Sequence, residues 1–230
     1  MNSSRQPVIV TSRELPPMFT EALSQLAEVR PGSPDADADL LAGADVYLAT
    51  GVDAVPADLI NRFPDSLGLI ANIGTGIDNI DLAAASARGI AVSNTPVVAE
   101  DTADLTFALI LATCRRLGSC ERYLRAGDWD AGAAQLGVRV HGRTLGIVGL
   151  GAIGQAVARR AAGFGMTLLY HGPRRKHQAE TALGVRYCED LGELLAASDV
   201  VSLNCPLTDD NRHLMNAGTL AQMKPGAILV

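Results

Sequence analysis

Gly149, Gly151 and Gly154 stand in G-x-G-x-x-G spacing, just after the apolar run Leu145-Gly-Ile-Val148 and just before an alanine-rich stretch. That order reads as strand, tight turn and helix start, an arrangement suited to an anion. Gly149 permits the sharp turn out of the strand. Gly151 has no Cβ, so a pyrophosphate can approach the backbone, and Gly154 lets the helix pack closely on the strand. The N–H groups of the helix's first turn carry roughly half a positive charge and attract the phosphates. The same spacing also marks ordinary turns. The strand before it and the helix after it make dinucleotide binding the reading here.

A second constellation follows the strand expected at residues 167–171. NAD-preferring folds place an Asp or Glu about 20 residues past the glycine motif, where it binds the ribose 2′-OH. In this chain that place falls on Gly172, and Pro173-Arg-Arg-Lys176 follows. A carboxylate would repel a 2′-phosphate, whereas a glycine leaves room for one. Arg174, Arg175 and Lys176 could then neutralise it, each charge-assisted hydrogen bond contributing roughly 1.5–3 kcal/mol. The expectation is NADP(H), with NAD(H) possible. The competing reading is a solvated basic turn.

A third is Ala71-Asn-Ile-Gly-Thr-Gly-Ile-Asp-Asn-Ile-Asp81, at the carboxyl end of a strand expected at 67–72. Ligands bind at that end of open parallel sheets. Exposed N–H groups around Gly74, Thr75 and Gly76 could grip a carboxylate; a plain glycine turn before a helix would look the same. Cys114, Cys120, Cys188 and Cys205 include no C-x-x-C pair, and His141, His171, His177 and His213 do not cluster. These are expected to be reduced thiols in a cytoplasmic protein without a metal.

The elements that must position these residues alternate. Strands are expected at 8–11, 45–49, 67–72 and 90–92, with helices at 17–27, 57–61 and 82–87 and a loop at 31–39. Such alternation means a parallel sheet with right-handed crossovers. Residues 105–117 are apolar almost all round, with Glu100, Asp101 and Asp104 before them and Arg115-Arg116 near their end. A helix apolar on every face is expected to be buried on every face, so it is placed between two domains, 1–98 and 99–230. Residues 118–143 read as a polar, Gly-rich connector. Its Trp129 is read as a local packing residue rather than a subunit anchor. Strands at 144–148, 167–171, 185–187 and 199–203 alternate with helices at 155–164, 178–183, 190–197 and 217–223. In the third of these Asp190 and Glu193 form a capping box. A last strand begins at Ala227 and has no successor, so the second domain is expected to be incomplete.

The 230 residues are 48% hydrophobic and 19% charged, enough for a sizeable core, and the net charge of −6 argues against a nucleic-acid partner. No apolar run is long enough to span a membrane, and the start of the chain has no signal-peptide core.

Several stretches occur together and in order. They are Asn72–Asp81, Asn94-Thr-Pro96, Glu100-Asp-Thr-Ala-Asp104, Gly149–Gly154, Ser198-Asp-Val-Val-Ser-Leu-Asn-Cys-Pro-Leu-Thr208 and Met223-Lys-Pro-Gly-Ala-Ile-Leu-Val230. Over nearly the whole chain this resembles the D-isomer-specific 2-hydroxyacid dehydrogenases, above all their glyoxylate/hydroxypyruvate reductase branch. The resemblance implies an α/β fold of two parallel-sheet lobes, a flavodoxin-like substrate domain and a Rossmann-type dinucleotide-binding domain. It implies hydride transfer between a nicotinamide cofactor and a small 2-keto acid, and a homodimer.

Position by position, the resemblance puts the substrate carboxylate at Ile73, Gly74, Thr75 and Gly76, and the nicotinamide beside Thr102. Gly151, Ala152 and Ile153 match the pyrophosphate turn. Cys205, Pro206 and Thr208 match the loop on the adenine and ribose side, with Cys205 itself a small hydrophobe whose backbone touches cofactor. The family's substrate-orienting arginine, proton-donating histidine and supporting glutamate match no position up to Val230. None of the four histidines is assigned proton transfer, and the 230 residues by themselves are expected to be inactive. The alternative reading is a dinucleotide-binding module without catalysis.

Overall fold

Short apolar runs alternating with helices build two five-stranded sheets, and every strand pair in both is parallel. This computed structural model describes residues 5–33, 38–130 and 136–230. The chain divides into two units, Met1–Val98 and Ala99–Val230.

The first unit runs β1 (Val8–Thr11), α1 (Pro17–Ser24), β2 (Glu28–Pro31), β3 (Val46–Thr50), α2 (Ala57–Asn61), β4 (Leu69–Ile73), α3 (Leu82–Ala87) and β5 (Ala91–Ser93). Its strand order is β2-β1-β3-β4-β5, the flavodoxin-like order. Val10, Ala49 and Ile70 are fully buried in its core with Ile60 of α2. Asp81 starts α3 by accepting the Ala84 N–H at 2.9 Å, an N-cap contact worth about 1 kcal/mol.

The second unit runs α4 (Ala99–Cys114), α5 (Leu117–Ala126), β6 (Thr144–Val148), α6 (Ala152–Ala162), β7 (Thr167–His171), α7 (His177–Leu183), β8 (Arg186–Tyr187), α8 (Leu191–Ala197), β9 (Val200–Leu203), α9 (Ala217–Leu220) and β10 (Ile228–Leu229). Its order is β10-β9-β6-β7-β8, the Rossmann order with its reversal between β6 and β9. Successive side chains of a strand face opposite ways, and here both faces are covered. Leu145, Ile147, Leu168, Tyr170 and Val200 join the core that includes α4 and α6. Val148, Leu169 and Val201 join the one that includes Leu194 and Leu195 of α8. A Cβ on Gly146 would overlap the Leu194 side chain, so this glycine sets how closely α8 approaches β6.

Several expectations are corrected. Helix α1 stops at Ser24, before the expected residue 27, and β2, where no element was expected, runs up to the start of the expected 31–39 loop. The sequence Glu28-Val-Arg-Pro31 lacks apolar alternation because β2 is a half-exposed edge strand with one neighbour. Residues 34–37 of that expected loop, and 131–135 of the expected connector, lie outside the described residues. Residues 117–126 of the connector are the helix α5.

Helix α4 is not buried on every face. Ala103, Phe107, Ile110 and Cys114 are buried, whereas Leu105 is 61% and Leu109 46% exposed. Its packed face lies on α6, with Phe107 against Phe164 at 4.9 Å between ring centroids. Glu100 and Asp104 pair with Arg159 and Arg160 along that seam, and the two arginines hold the Glu100 carboxyl below its usual range. Trp129 is 72% exposed, so the local-packing reading of that residue fails. Helix α6 starts at Ala152 rather than at 155, because the last residues of the glycine motif already lie in helical turns. At α8 only half of the expected capping box forms, Asp190 accepting the Glu193 N–H at 3.1 Å.

Candidate functional site

The reversal of strand order between β6 and β9 opens a crevice outside their carboxyl ends, and the glycine motif stands there. Gly149 leaves β6 with φ +91°, a conformation L side chains rarely adopt. A Cβ there would come within 2.7 Å of the Cys205 nitrogen and 2.8 Å of its Cα. So Gly149 is required twice, by its own turn and by the loop after β9. A Cβ on Gly154 would overlap the Gly149 carbonyl oxygen and stand 3.2 Å from Ile147 Cγ2. This is the close helix-on-strand packing expected from the spacing.

Gly151 differs: nothing lies within 4 Å of where its Cβ would be. It is the N-cap of α6, and no side chain caps that helix. The first N–H groups of a helix have no partner within it, so those of Ala152, Ile153 and Gly154 present donors to the open space beside Gly151. An 11-residue helix with an uncapped, glycine-lined N-terminus fits a pyrophosphate.

Cys205, Pro206 and Thr208 lie on the loop after β9, beside Gly149. Asn211 ties that loop down. It donates to the Pro206 carbonyl at 2.6 Å and accepts the Thr208 N–H at 2.8 Å. Asn211 escaped the sequence reading; its spacing three residues after a Thr was the available signal. Cys205 is half-buried against the Leu194–Val201 cluster, and all four cysteines are free thiols. Burial pushes the Cys114 and Cys188 thiols up. Thr102 is exposed on α4, where its carbonyl accepts the Thr106 hydroxyl.

Gly172 follows β7, and nothing lies within 4 Å of a Cβ placed there. The three cations after it are not alike. Arg175 is paired with Glu180, Nε to Oε1 at 3.0 Å and Nη2 to Oε2 at 2.9 Å. It also lies 5.7 Å from the Tyr187 ring centroid. Arg175 and the Tyr170 hydroxyl, against a smaller burial effect, hold the Glu180 carboxyl down at about 2. The expectation that all three cations are available is therefore corrected: Arg175 is already neutralised, because α7 brings Glu180 back over the turn. Arg174 and Lys176 are exposed, and among the described residues their charges have no partner. Lys176 also lines an open cleft of about 410 Å³ with Gln155 of α6, His177 and Gln178.

The other predicted loop lies in the first unit, after β4, and is braced from two sides. Buried Asn72 donates to the Gly76 carbonyl at 2.8 Å and meets Asn79, whose amide donates to the Thr50 and Asp53 carbonyls. Across from them, Thr95 Oγ1 accepts the Gly74 N–H at 2.8 Å, the Thr95 N–H donates to the Gly74 carbonyl, and Asn94 donates to the Thr75 carbonyl. Asn94 and Thr95 thus hold the glycine loop, a role the sequence reading missed. The Gly74 N–H is committed, whereas those of Thr75 and Gly76 have no acceptor among the described residues. The Thr75 hydroxyl oxygen is buried, with no hydrogen-bond partner among the described residues. Ile73 is 42% exposed at the end of β4. Replacing Thr95 with valine removes one acceptor, worth about 1 kcal/mol. Hydrogen exchange at the Gly74 amide should then run roughly fivefold faster, and an unchanged rate would show that the loop holds itself.

Among the described residues no helix is long and apolar enough to cross a membrane, and no group of three or more His, Cys, Asp or Glu side chains could hold a metal.

The family described as D-isomer specific 2-hydroxyacid dehydrogenase, NAD binding domain, matches residues 107–230. A protein named glyoxylate reductase from Korarchaeum cryptofilum is 40% identical over 235 residues, covering 98% of this chain and 70% of its own. The structure of an NADPH-dependent glyoxylate/hydroxypyruvate reductase from Sinorhizobium meliloti, in complex with NADP and malonate, superposes with TM-score 0.87 at 34% identity, over 98% of this chain and 70% of that one. The D-lactate dehydrogenase of Aquifex aeolicus, complexed with NAD and lactic acid, gives TM-score 0.84 at 30% identity over 96% and 67%. Of two Thermococcus glyoxylate reductases the matched part of this chain spans 58% and 55%. With a Rossmann-ordered sheet, its glycine turn at the switch point and these relatives in hand, the chain belongs to the D-isomer-specific 2-hydroxyacid dehydrogenases, on their glyoxylate reductase-like side.

Proposed function

We propose that this protein reduces a small 2-keto acid of the glyoxylate or hydroxypyruvate kind to its D-2-hydroxy acid, with NADPH preferred over NADH. The observation that carries the reading is the crevice at β6 and β9. There Gly149 and Gly154 tolerate no side chain, while Gly151 and the uncapped start of α6 are left open. Bound there, a nicotinamide dinucleotide supplies the hydride. The chain's own residues do the holding. The N–H groups of Ala152, Ile153 and Gly154 receive the pyrophosphate, the backbone of Cys205, Pro206 and Thr208 lines the adenine and ribose side, and Thr102 stands beside the nicotinamide. In the first unit, the Thr75 and Gly76 N–H groups, next to Ile73 and Gly74, receive the substrate carboxylate.

The residues named above are assigned binding and orientation of the cofactor and substrate. A homodimer is supported by apolar surface on the second unit, with Leu105, Leu109, Leu124 and Trp129 all exposed. Four free thiols support the cytoplasm as compartment.

The cofactor preference rests on Gly172, which carries no carboxylate for a 2′-OH, and on Arg174 and Lys176, whose charges have no partner among the described residues. Both cations are exposed and screened over about 8 Å at physiological salt, so the expected preference is about tenfold to a few tens. The measurement is kcat/KM with glyoxylate and hydroxypyruvate for NADPH and NADH at fixed ionic strength. Gly172→Asp together with Arg174→Gln should reverse the ratio. If the unmodified protein uses NADH as well as NADPH or better, the basic turn is only a solvated loop.

A further inference from the structure

The turn from Gly172 to Lys176 carries three cations, and the fold treats them differently. Tyr170, almost fully buried at the end of β7, donates its hydroxyl to Glu180 Oε1 at 2.7 Å and accepts the Lys176 N–H at 2.7 Å. One phenol therefore fixes both the backbone of the turn and the carboxylate facing it. Glu180 then takes Arg175 in a two-point fork, and its side chain is only 16% exposed. Tyr187 lies against Arg175 and donates to the Gly172 carbonyl at 3.2 Å. Arg175 does not line the cleft beside α6, whereas Lys176 does.

Resting on the NADP reading above, we infer that Glu180 sets how strongly this protein distinguishes a ribose 2′-phosphate from a 2′-hydroxyl. It does so by holding Arg175 in an ion pair and leaving Arg174 and Lys176 to meet the phosphate. A phosphate approaching Gly172 meets three positive charges offset by one negative charge. Arg175 could serve the phosphate only by leaving a fork whose geometry is already satisfied. Glu180 is thus a positioning residue that restrains the preference, and Arg175 is a strut rather than a ligand.

The test is calorimetric titration of the chain with 2′,5′-ADP and with 5′-AMP, probes that differ only in the 2′-phosphate. Glu180→Gln keeps the size of the side chain and an acceptor for Tyr170 but removes the charge. It should tighten 2′,5′-ADP about threefold to tenfold, leave 5′-AMP within twofold, and lose most of the gain at high salt. Adding Arg175→Ala to Glu180→Gln should abolish the gain. In the unmodified background Arg175→Ala should change 2′,5′-ADP affinity less than twofold, while Arg174→Ala and Lys176→Ala each weaken it several-fold. A Glu180→Gln protein that binds 2′,5′-ADP no more tightly, or that shifts both probes alike, overturns the inference, as does a large loss in Arg175→Ala alone. Equal affinity of the unmodified chain for the two probes overturns the NADP reading instead. The effect of Glu180 is then still read from the variant: a gain for 2′,5′-ADP keeps it and no gain sinks it.

Discussion

Replacing Gly154 with alanine is expected to cost about 3 kcal/mol of stability in the second unit, at the upper end for overpacking because the obstacle is backbone. The new Cβ would overlap the Gly149 carbonyl oxygen, and Ile147 Cγ2 closes the other side at 3.2 Å. No rotamer relieves that overlap. Helix α6 must retreat by roughly 1 Å to reach ordinary contact, and it carries its N-terminal donors with it. Each charge-assisted bond to a phosphate is worth roughly 1.5–3 kcal/mol, so NADPH affinity should fall by about 100-fold. Gly151→Ala is the contrasting case. Its Cβ meets no protein atom, so stability should stay within about 0.5 kcal/mol. NADPH should still weaken about tenfold, because the methyl group occupies the path of the pyrophosphate. Thermal unfolding and NADPH titration of both variants separate the two effects. A Gly154→Ala protein that binds NADPH within threefold of the unmodified one would remove the pyrophosphate from this turn.

Asp53→Asn should destabilise the first unit by about 2–3 kcal/mol, since a hydrogen bond to a charged group contributes roughly 1.5–3. This one carboxylate, 13% exposed, joins the ends of two strands. After β1 it takes Ser12 Oγ at 2.5 Å and the Arg13 guanidinium; at the end of β3 it takes the Thr50 N–H at 3.1 Å and Thr50 Oγ1 at 2.6 Å. Burial alone would push the Asp53 carboxyl up, but the bonds from Arg13, Ser12 and Thr50 outweigh it and hold the group well below the usual carboxylate range. An unfolded Asp titrates near 4. The stabilisation is therefore complete above about pH 5 and drains away as pH falls through 4 toward the depressed folded value. In the asparagine variant that acid-sensitive part of the stability curve should flatten. Arg13 is half exposed, so Arg13→Ala should cost much less than Asp53→Asn. A melting temperature lowered by ~10 °C at pH 7 in Asp53→Asn, with a smaller deficit at pH 3, is the expected pattern. Equal deficits at both pH values would show that the charge is not what matters.

The glycine motif was legible because its logic is local. A strand of apolar residues, a turn needing no side chain and a helix beginning at once are written in consecutive residues, and the structure places Gly149, Gly151 and Gly154 in those roles. The parallel α/β architecture was legible for a similar reason: strands and helices alternate along the chain, and such alternation leaves few topologies. Helix α4 was misjudged because its composition is apolar on all sides while its neighbours cover one. Which side is covered depends on α6 and Phe164, well beyond it in sequence. Edge strand β2 was missed because a strand buried on neither face carries no periodic signal.

The amino-acid sequence by itself determined the family, the alternation of strands and helices and the glycine turn after β6, since each follows from residue type and near spacing. Tertiary structure alone decided which charges near the turn are available and which amides near Gly74 are taken. Arg174, Arg175 and Lys176 are equal as letters, and only the return of α7 over the turn sets Glu180 against one of them. Gly74, Thr75 and Gly76 likewise read as three donors until β5 brings Thr95 alongside to occupy one. A side chain's partners are set by strand register and helix return, and those are properties of the packed sheet rather than of any stretch of sequence.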